Sequence, residues 1–231
     1  MTSLPAERAI YIVGAGGHGR ELNSYLRDLQ RAGWQGELRG FLDDAIAPGG
    51  YNGVKVAGAI DSLRDADLAA DPGYITAFGD NHLRRKIVAR LEEVYRERFR
   101  PWTLIHPSAL VGCGSEIGEG TCLAPGSIVT AKTSIGRHAI LNVKASISHD
   151  CTVGDFVNIN PGATICGWVS IGEGAYIGAG AVIKDRINIG AWSVVGAGAV
   201  VVRDVPAHAT VVGVPARILR HNGAAQATEK R

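Results

Sequence analysis

The chain has 231 residues, of which 46% are hydrophobic and 20% charged, and its formal net charge is +2. A charge so close to zero, without a block of like charges, argues against nucleic acid or an anionic membrane as the main partner. The sequence has neither a run of about 18 apolar residues nor a signal-peptide pattern, so we expect a cytoplasmic protein without a membrane-spanning helix.

The first predicted elements are a strand, a glycine-rich turn and a helix. Residues 9–13 are predicted as a buried strand, residues 14–19 as the turn, and residues 20–31 as the helix. Glycines at such a turn let the backbone approach a phosphate, and the helix N-terminus adds N–H groups. By itself the turn is compatible with NAD, a nucleotide sugar or a simple packing turn. The region is about half of a dinucleotide-binding domain, which favours a ligand of mononucleotide size.

Two further strands and a helix follow. Residues 38–42 are predicted as a strand that ends at Asp43 and Asp44, where an acidic side chain commonly binds ribose hydroxyls. Asp43 is the better candidate, because Asp44 also fits plain turn chemistry. Residues 74–78 are predicted as another strand, and residues 81–98 as a long amphipathic helix.

A repeat of six residues dominates the second half. Every sixth residue from Ile105 to Val201 is Ile, Leu or Val, and a small or β-branched residue usually follows four positions later. Six residues make one short strand and one turn, so three repeats make a three-sided coil with the aliphatic residues inside. A helical period of 3.6 does not fit this spacing. The repeat therefore predicts a parallel β-helix of about five coils.

The end of the repeat gives the domain limits. Residues 202–206 interrupt it, and residues 211–217 resemble the closing segment of hexapeptide acyltransferases. We predict a first domain over residues 1–102, a β-helix with its closing segment over 103–217, and a polar tail over 218–231. The four cysteines lack C-x-x-C spacing and are predicted to be buried.

Together these motifs resemble the bacterial nucleotide-sugar acetyltransferases of the sialic-acid O-acyltransferase-like family, whose members N-acetylate a UDP-linked 4-amino sugar or GDP-perosamine. The resemblance covers about residues 8–217, and residues 142–167 are its most specific part. It implies an α/β Rossmann-like domain followed by a left-handed parallel β-helix. It also implies acetyl-CoA as co-substrate, a nucleotide-activated amino sugar as acceptor, no metal, and a homotrimer whose site is built from two chains.

The resemblance further implies the site residues. His149 matches the catalytic base, Asp150 the acidic neighbour that raises its basicity, and Gly167 the residue whose backbone N–H faces the thioester carbonyl. Some members have a second histidine where this chain has Asn158, which can donate a hydrogen bond but cannot exchange a proton near neutral pH. The implied nucleotide-sugar contacts are Gly16, Gly17, His18, Asp43, Asp44, Gly79 and Asn142, and the implied acetyl-CoA contacts are Asn158, Gly167, Ala179 and Ala197.

The chemistry expected at His149 needs no covalent intermediate. A histidine that titrates near pH 7 can accept the proton of the attacking amine, an effect of about 10²–10⁴-fold. A backbone N–H aimed at the developing oxyanion contributes about 3 kcal/mol. Cys151 occupies a small inward position of the repeat, so we expect it to be buried rather than nucleophilic. We expect His106 and His138 in surface turns, and Trp168 and Trp192 in packing or intersubunit contacts.

Other functions remain open on the sequence alone. One is O-acetylation of a sugar, and another is a non-catalytic nucleotide-sugar scaffold. A carbonic-anhydrase-like zinc enzyme needs three clustered histidines, and His106, His138 and His149 lack the usual close spacing. NAD-dependent oxidoreduction rests on residues 14–19 alone. We therefore predict an acetyl-CoA-dependent N-acetyltransferase that acts on a nucleotide-linked amino sugar.

Overall fold

A computed structural model describes residues 9–51, 53–69 and 71–221. The chain divides into two compact units at Pro107 and Ser108. The predicted fold class is confirmed, because the first unit is a Rossmann-like α/β domain and the second a left-handed parallel β-helix. Within the described ranges, every helix is too short or too polar to cross a membrane.

The first unit is a six-stranded sheet in the order β3-β4-β2-β1-β5-β6, parallel except at β3. Its central strand β1 is buried because helices pack on the parallel part of the sheet. The strands are β1 (Ala9–Val13), β2 (Glu37–Leu42), β3 (Gly49–Tyr51), β4 (Val54–Gly58), β5 (Gly73–Thr76) and β6 (Arg100–Pro101). The helices are α1 (Gly17–Arg31), α2 (Asp65–Leu68) and α3 (Asn81–Tyr95), followed by a 3₁₀ turn (Arg96–Arg98).

Helix α1 covers the sheet with one apolar face. Leu22, Tyr25, Leu26 and Leu29 are buried at helical spacing, and each such leucine contributes about 1.5–3 kcal/mol. Helix α3 ends earlier than predicted, at Tyr95, because Arg96 takes a φ of 51° and turns the chain out of the helix.

The second unit consists of two-residue strands that form the three faces of a prism. Each strand pairs with the strand 18 residues further on, as Ile128 does with Ser146. The first face contains β8, β11, β14, β17, β20 and β23, the second face β9, β12, β15, β18 and β21, and the third face β10, β13, β16, β19, β22 and β24. The short strand β7 (Leu104–Ile105) lies at the end of the first unit. The strands from β8 to β23 are Leu110–Val111, Glu116–Ile117, Cys122–Leu123, Ile128–Val129, Ser134–Ile135, Ile140–Leu141, Ser146–Ile147, Thr152–Val153, Asn158–Ile159, Thr164–Ile165, Ser170–Ile171, Tyr176–Ile177, Val182–Ile183, Asn188–Ile189, Val194–Val195 and Val200–Val201.

The three edges of the prism are turns with one left-handed residue in each. Every sixth residue from Gly114 to Gly198 has a positive φ, and this conformation turns the chain from one face to the next. The first edge joins the first and second faces, the second edge joins the second and third, and the third edge returns to the first. Their left-handed residues are Gly114, Lys132, Asp150, Trp168 and Arg186 on the first edge, Gly120, His138, Phe156, Gly174 and Trp192 on the second, and Gly126, Lys144, Gly162, Gly180 and Gly198 on the third.

The closing segment continues the faces before it ends the prism. Val205 bridges to Ile189, so the interruption of the repeat at residues 202–206 still extends the second face. Strand β24 (Ala209–Val212) extends the third face, and β25 (Arg217–His221) pairs with it in antiparallel orientation. Residues 218–221, assigned to the tail from the sequence, therefore cover an open sheet edge. The rest of the predicted tail lies outside the described residues.

Three expectations about burial are wrong. His106 and His138 are buried rather than in exposed turns, because each ring has an aromatic partner. The His106 ring meets Tyr25 edge to face, and His138 stacks on Phe156 with centroids 5.3 Å apart. Cys113 is exposed because it lies in a turn of the first edge, outside the packed interior, and Cys166 is only partly buried, whereas Cys122 and Cys151 are buried as predicted.

Candidate active site

Three predicted motifs meet at one end of the Rossmann-like sheet. Strand β1 lies between β2 and β5, and a motif follows each of these parallel strands, directly after β1 and β2 and three residues after the end of β5. The chain leaves β1 toward β2 on one side, and β5 lies on the other side. Ligands of open parallel sheets bind at such a switch point, outside the carboxyl ends of the strands. The fold thus places residues 14–19, Asp43, Asp44 and Gly79 at the carboxyl ends of the parallel strands, on the same side of the sheet.

The glycines of the turn serve three different purposes. Gly14 has a φ of 107°, which favours glycine. A Cβ atom at Gly19 would lie 2.2 Å from the carbonyl oxygen of Gly14, so this glycine allows α1 to pack closely. A Cβ at Gly16 would meet no atom within 4 Å, and one at Gly17 only the end of Arg20. The turn therefore leaves open space at the N-terminus of α1, where an anion would be stabilised.

His18 lies in the first turn of α1, beside that space. Its Nδ1 is 3.0 Å from Glu21 Oε2, and its side chain is 15% exposed. Its Nε2 is buried and has no hydrogen-bond partner among the described residues. Three residues after β5, a Cβ atom at Gly79 would meet nothing within 4 Å, and Asp80 caps α3 by accepting a hydrogen bond from the Leu83 N–H at 2.8 Å.

Asp43 braces the glycine turn. Its Oδ2 accepts a hydrogen bond from the Ala15 N–H at 2.8 Å, and its Oδ1 accepts one from the Ala45 N–H at 2.9 Å. Both carboxylate oxygens thus hold backbone groups at the sheet edge. Any ribose contact would have to use the lone pairs that remain.

Asp44 belongs to an ion network that the sequence analysis missed. Its Oδ1 accepts a hydrogen bond from the Ile60 N–H at 3.0 Å, and its Oδ2 pairs with Arg90, which also binds Asp61. The hydrogen bond from Arg90 holds the pKa of Asp44 below its ordinary value of 3.8. No sequence signal links Asp44 to Arg90, because they are 46 residues apart.

His149 and Asp150 form one unit on the first edge of the prism. The Asp150 backbone has a φ of 56° and donates its N–H to the Ala131 carbonyl at 3.1 Å. This turn places Asp150 Oδ2 2.8 Å from His149 Nδ1, and 56% of the His149 side chain is exposed. A proton on Nδ1 would be shared with Asp150, which leaves Nε2 as the basic nitrogen.

Gly167 lies against the imidazole from the next coil. A Cβ atom at residue 167 would lie 2.8 Å from His149 Cε1 and 2.9 Å from Nε2. The neighbouring N–H groups of Cys166 and Trp168 donate to the carbonyls of Ile183 and His149. In the described part of the chain, nothing accepts the N–H of Gly167. A free backbone donor and a basic nitrogen therefore lie side by side.

Trp168 and Arg186 continue the first edge and were not expected in the site. The Trp168 ring centroid lies 6.2 Å from that of His149, at an interplanar angle of 88°. Arg186 Cζ lies 5.2 Å from the Trp168 centroid. The 18-residue coil could have revealed this contact, since residue 168 stacks directly on residue 150.

The other predicted site residues of the prism lie away from His149. Asn142 lies near the third edge, where its Oδ1 accepts a hydrogen bond from the Val143 N–H at 2.7 Å. Asn158 is buried in β16 on the third face. Ala179 and Ala197 lie on the third edge, so in a single chain these four residues do not meet the imidazole.

The third edge is unusually bare. Ala179 and Ala197 are exposed, and their N–H groups have no acceptor among the residues that the structure describes. A Cβ atom at Gly162, Gly180 or Gly198 would meet nothing within 4 Å. This edge therefore offers a smooth track with free backbone donors, unlike the first edge with its large side chains.

The described residues do not have the geometry of a metal site or the electrostatics of a nucleophilic cysteine. Across the described ranges, no group of three or more His, Cys, Asp or Glu side chains is placed to hold a metal ion. Burial raises the pKa of the Cys151 thiol, which is opposite to what a nucleophilic cysteine requires.

Comparison with known proteins gives consistent matches. Residues 9–91 match the PglD N-terminal domain. A UDP-N-acetylbacillosamine N-acetyltransferase from Bacillus subtilis (strain 168) is 40% identical over 117 residues. That alignment covers 48% of this chain and 49% of the relative, so it spans about half of each.

Several solved structures match nearly the whole chain, including two that contain bound ligands relevant to the site. The acetyltransferase domain of PglB from Neisseria gonorrhoeae FA1090, in complex with acetyl coenzyme A, is 34% identical, with 93% of this chain and 100% of that chain covered and a TM-score of 0.81. PerB from Caulobacter crescentus, in complex with CoA and GDP-perosamine, is 33% identical, with 94% and 99% covered and a TM-score of 0.81.

Proposed function

The chain belongs to the bacterial nucleotide-sugar N-acetyltransferases that carry a PglD N-terminal domain, and we propose that it transfers the acetyl group of acetyl-CoA to the amine of a nucleotide-linked amino sugar. The observation that carries this proposal is the first edge, where the free N–H of Gly167 lies beside the His149 imidazole. This pair supplies a base for the amine and a donor for the thioester oxygen.

The reaction follows from this geometry as a direct transfer. The neutral amine attacks the thioester carbon, and His149 Nε2 accepts the proton that the nitrogen loses. Asp150 stabilises the imidazolium that forms, and the Gly167 N–H donates to the developing oxyanion. The carbon–sulfur bond then breaks, and the proton on His149 returns to the CoA thiolate. The products are an amide and free CoA.

In this proposal the Rossmann-like unit holds the nucleotide. The diphosphate would lie at Gly16, Gly17 and His18, where the N-terminus of α1 is open. Asp43 and Gly79 would border the nucleoside, and Asn142 would contact the sugar. We give Asp44 a supporting role, because its carboxylate is already bound to Arg90 and the Ile60 N–H.

The acetyl-CoA site would be shared between chains of a homotrimer. The pantetheine arm would lie along the third edge of a neighbouring chain, at Ala179 and Ala197, with Asn158 as a further contact. The bare surface and free N–H groups of this edge support this arrangement. Both substrates are cytoplasmic metabolites, so we place the enzyme in the cytoplasm.

The decisive experiment measures thiol release from acetyl-CoA with a panel of UDP-, GDP- and dTDP-linked amino sugars. We expect turnover with at least one of them and none with the matching sugars that carry only hydroxyl groups. The His149→Ala variant should bind the same nucleotide sugar in calorimetry but lose at least about 100-fold in kcat. Turnover of the hydroxyl sugars would favour O-acetylation, and no turnover with intact nucleotide-sugar binding would favour a scaffold.

A further inference from the structure

Trp168 lies between His149 and Arg186 on the first edge. Its ring meets the imidazole nearly perpendicularly, with centroids 6.2 Å apart, and Arg186 Cζ lies 5.2 Å from its centroid. The side chain is 50% exposed. A large indole therefore connects a candidate catalytic group to a cation while half of its surface remains outside the packed interior.

A second tryptophan shows what the fold itself requires at this position. Trp192 occupies the same left-handed turn position on the second edge, with a φ of 56° against 63° for Trp168. Its ring lies on Gly174, where a Cβ atom would be 2.4 Å from the indole. Trp192 thus packs on its own prism. Trp168 leaves half of its side chain exposed and so gains less from burial. Its contribution must therefore come from its contacts with His149 and Arg186.

His149 needs a second restraint. The hydrogen bond from Nδ1 to Asp150 fixes one nitrogen, but the ring can still rock about that bond. An edge-to-face aromatic contact limits this motion, and a guanidinium on an indole face restrains the indole in turn. Small displacements of a catalytic group are costly, since about 1 Å can change a rate about 100-fold.

We propose that Trp168 is a positioning residue for His149, and that Arg186 holds the Trp168 indole in place. This inference rests on the proposed function, because it assigns His149 the role of base. Trp168 acts only through the imidazole, so its loss should slow the chemical step and leave the binding of both substrates intact.

Steady-state kinetics tests this directly. Trp168→Ala should lower kcat about tenfold and change each KM by less than about twofold. Trp168→Phe should keep most of the activity, because a phenyl ring preserves the edge-to-face contact. Arg186→Met should lower kcat by a smaller factor. The matched control Trp192→Ala should keep the wild-type kcat, because that indole is remote from the imidazole.

A second measurement follows the NMR signal of the His149 imidazole in the absence of substrate. In protein labelled with ¹³C-histidine, the His149 Cε1–H signal is assigned by its loss in His149→Ala. Trp168→Ala should move this signal, since the indole ring current is removed, and Trp192→Ala should not. If the wild type acetylates no amino sugar but the signal moves, the proposed function fails and the positioning contact stands.

Four results would overturn the inference. The first is an unchanged kcat and His149 signal in Trp168→Ala. The second is a loss expressed only in the KM of a substrate, which would make Trp168 a ligand contact. The third is an equal loss of kcat in Trp192→Ala. The fourth is a change in particle mass by light scattering, which would make Trp168 an intersubunit residue.

Discussion

At the scale of single residues, Asp150 both turns the backbone and contacts the His149 imidazole. Aspartate tolerates the left-handed conformation better than most residues, and here it takes a φ of 56° at an edge of the prism. The same turn brings its carboxylate to Nδ1 of the preceding histidine. In the proposed mechanism, this one local conformation would orient the base and favour the tautomer that leaves Nε2 free.

Gly167 is the second residue that shapes the site, because it has no side chain. A Cβ atom there would lie 2.8 Å from His149 Cε1, too close for a real contact. We predict that Gly167→Ala displaces the imidazole and lowers kcat at least about tenfold, with little loss in thermal stability. Gly50→Ala is the control, because a Cβ at that position meets nothing within 4 Å. Full activity in Gly167→Ala would show that the imidazole does not work from this position.

At the scale of elements, the network of Asp44, Arg90 and Asp61 ties the loop after β2 to α3. A group whose pKa is lowered in the fold contributes stability above its unfolded pKa, and that stability is lost as the pH falls through the folded value. Asp44 has a lowered pKa, so its contribution should be present at neutral pH and disappear in acid.

We therefore predict that Arg90→Met lowers the melting temperature at pH 7 and has a smaller effect below about pH 4. The groups are partly exposed, so the expected loss at pH 7 is about 1 kcal/mol or less. Arg39→Met is the matched control, because in the described ranges the ion pair of Arg39 is with Glu37 along the same strand. It should lower stability less than Arg90→Met at pH 7. An effect of Arg90→Met that grows in acid would contradict the sign of the Asp44 shift.

At the scale of the whole molecule, the three edges of the prism carry different chemistry on one repeated backbone. The first edge carries His149 and Trp168, the second carries stacked aromatic rings, and the third is almost bare. A base and a bare track on different edges are suited to a ring of identical chains, in which one edge of each chain faces another edge of its neighbour.

A complementation experiment tests this shared site. His149→Ala and Ala179→Trp should each be inactive alone, since one lacks the base and the other blocks the third edge. If the proposed trimer forms, mixed assemblies made by refolding equal amounts together should recover about a quarter of the wild-type activity, because random mixing pairs intact halves in about that fraction of sites. Each variant refolded alone is the control. No recovery in the mixture would place the whole site within one chain.

The sequence by itself determined the prism and the strand–turn–helix of the first unit. Both are periodic or local patterns: an inward aliphatic residue every six positions, and glycines between a buried strand and a helix. His149, Asp150 and Gly167 were assigned to the site by the family resemblance, and the repeat explains only why they lie close together. They are adjacent or 18 residues apart, which is one coil of the repeat.

Only the tertiary structure decided which side chains use this framework. Arg90 forms an ion pair with Asp44, which is distant in the first unit's sequence. Both carboxylate oxygens of Asp43 accept hydrogen bonds from backbone N–H groups, and His138 is buried by stacking on Phe156. The bare third edge likewise became visible only when the coils were stacked. These outcomes depend on contacts between side chains that are distant in the chain or on different coils. A local sequence pattern does not determine which of several possible partners a side chain contacts.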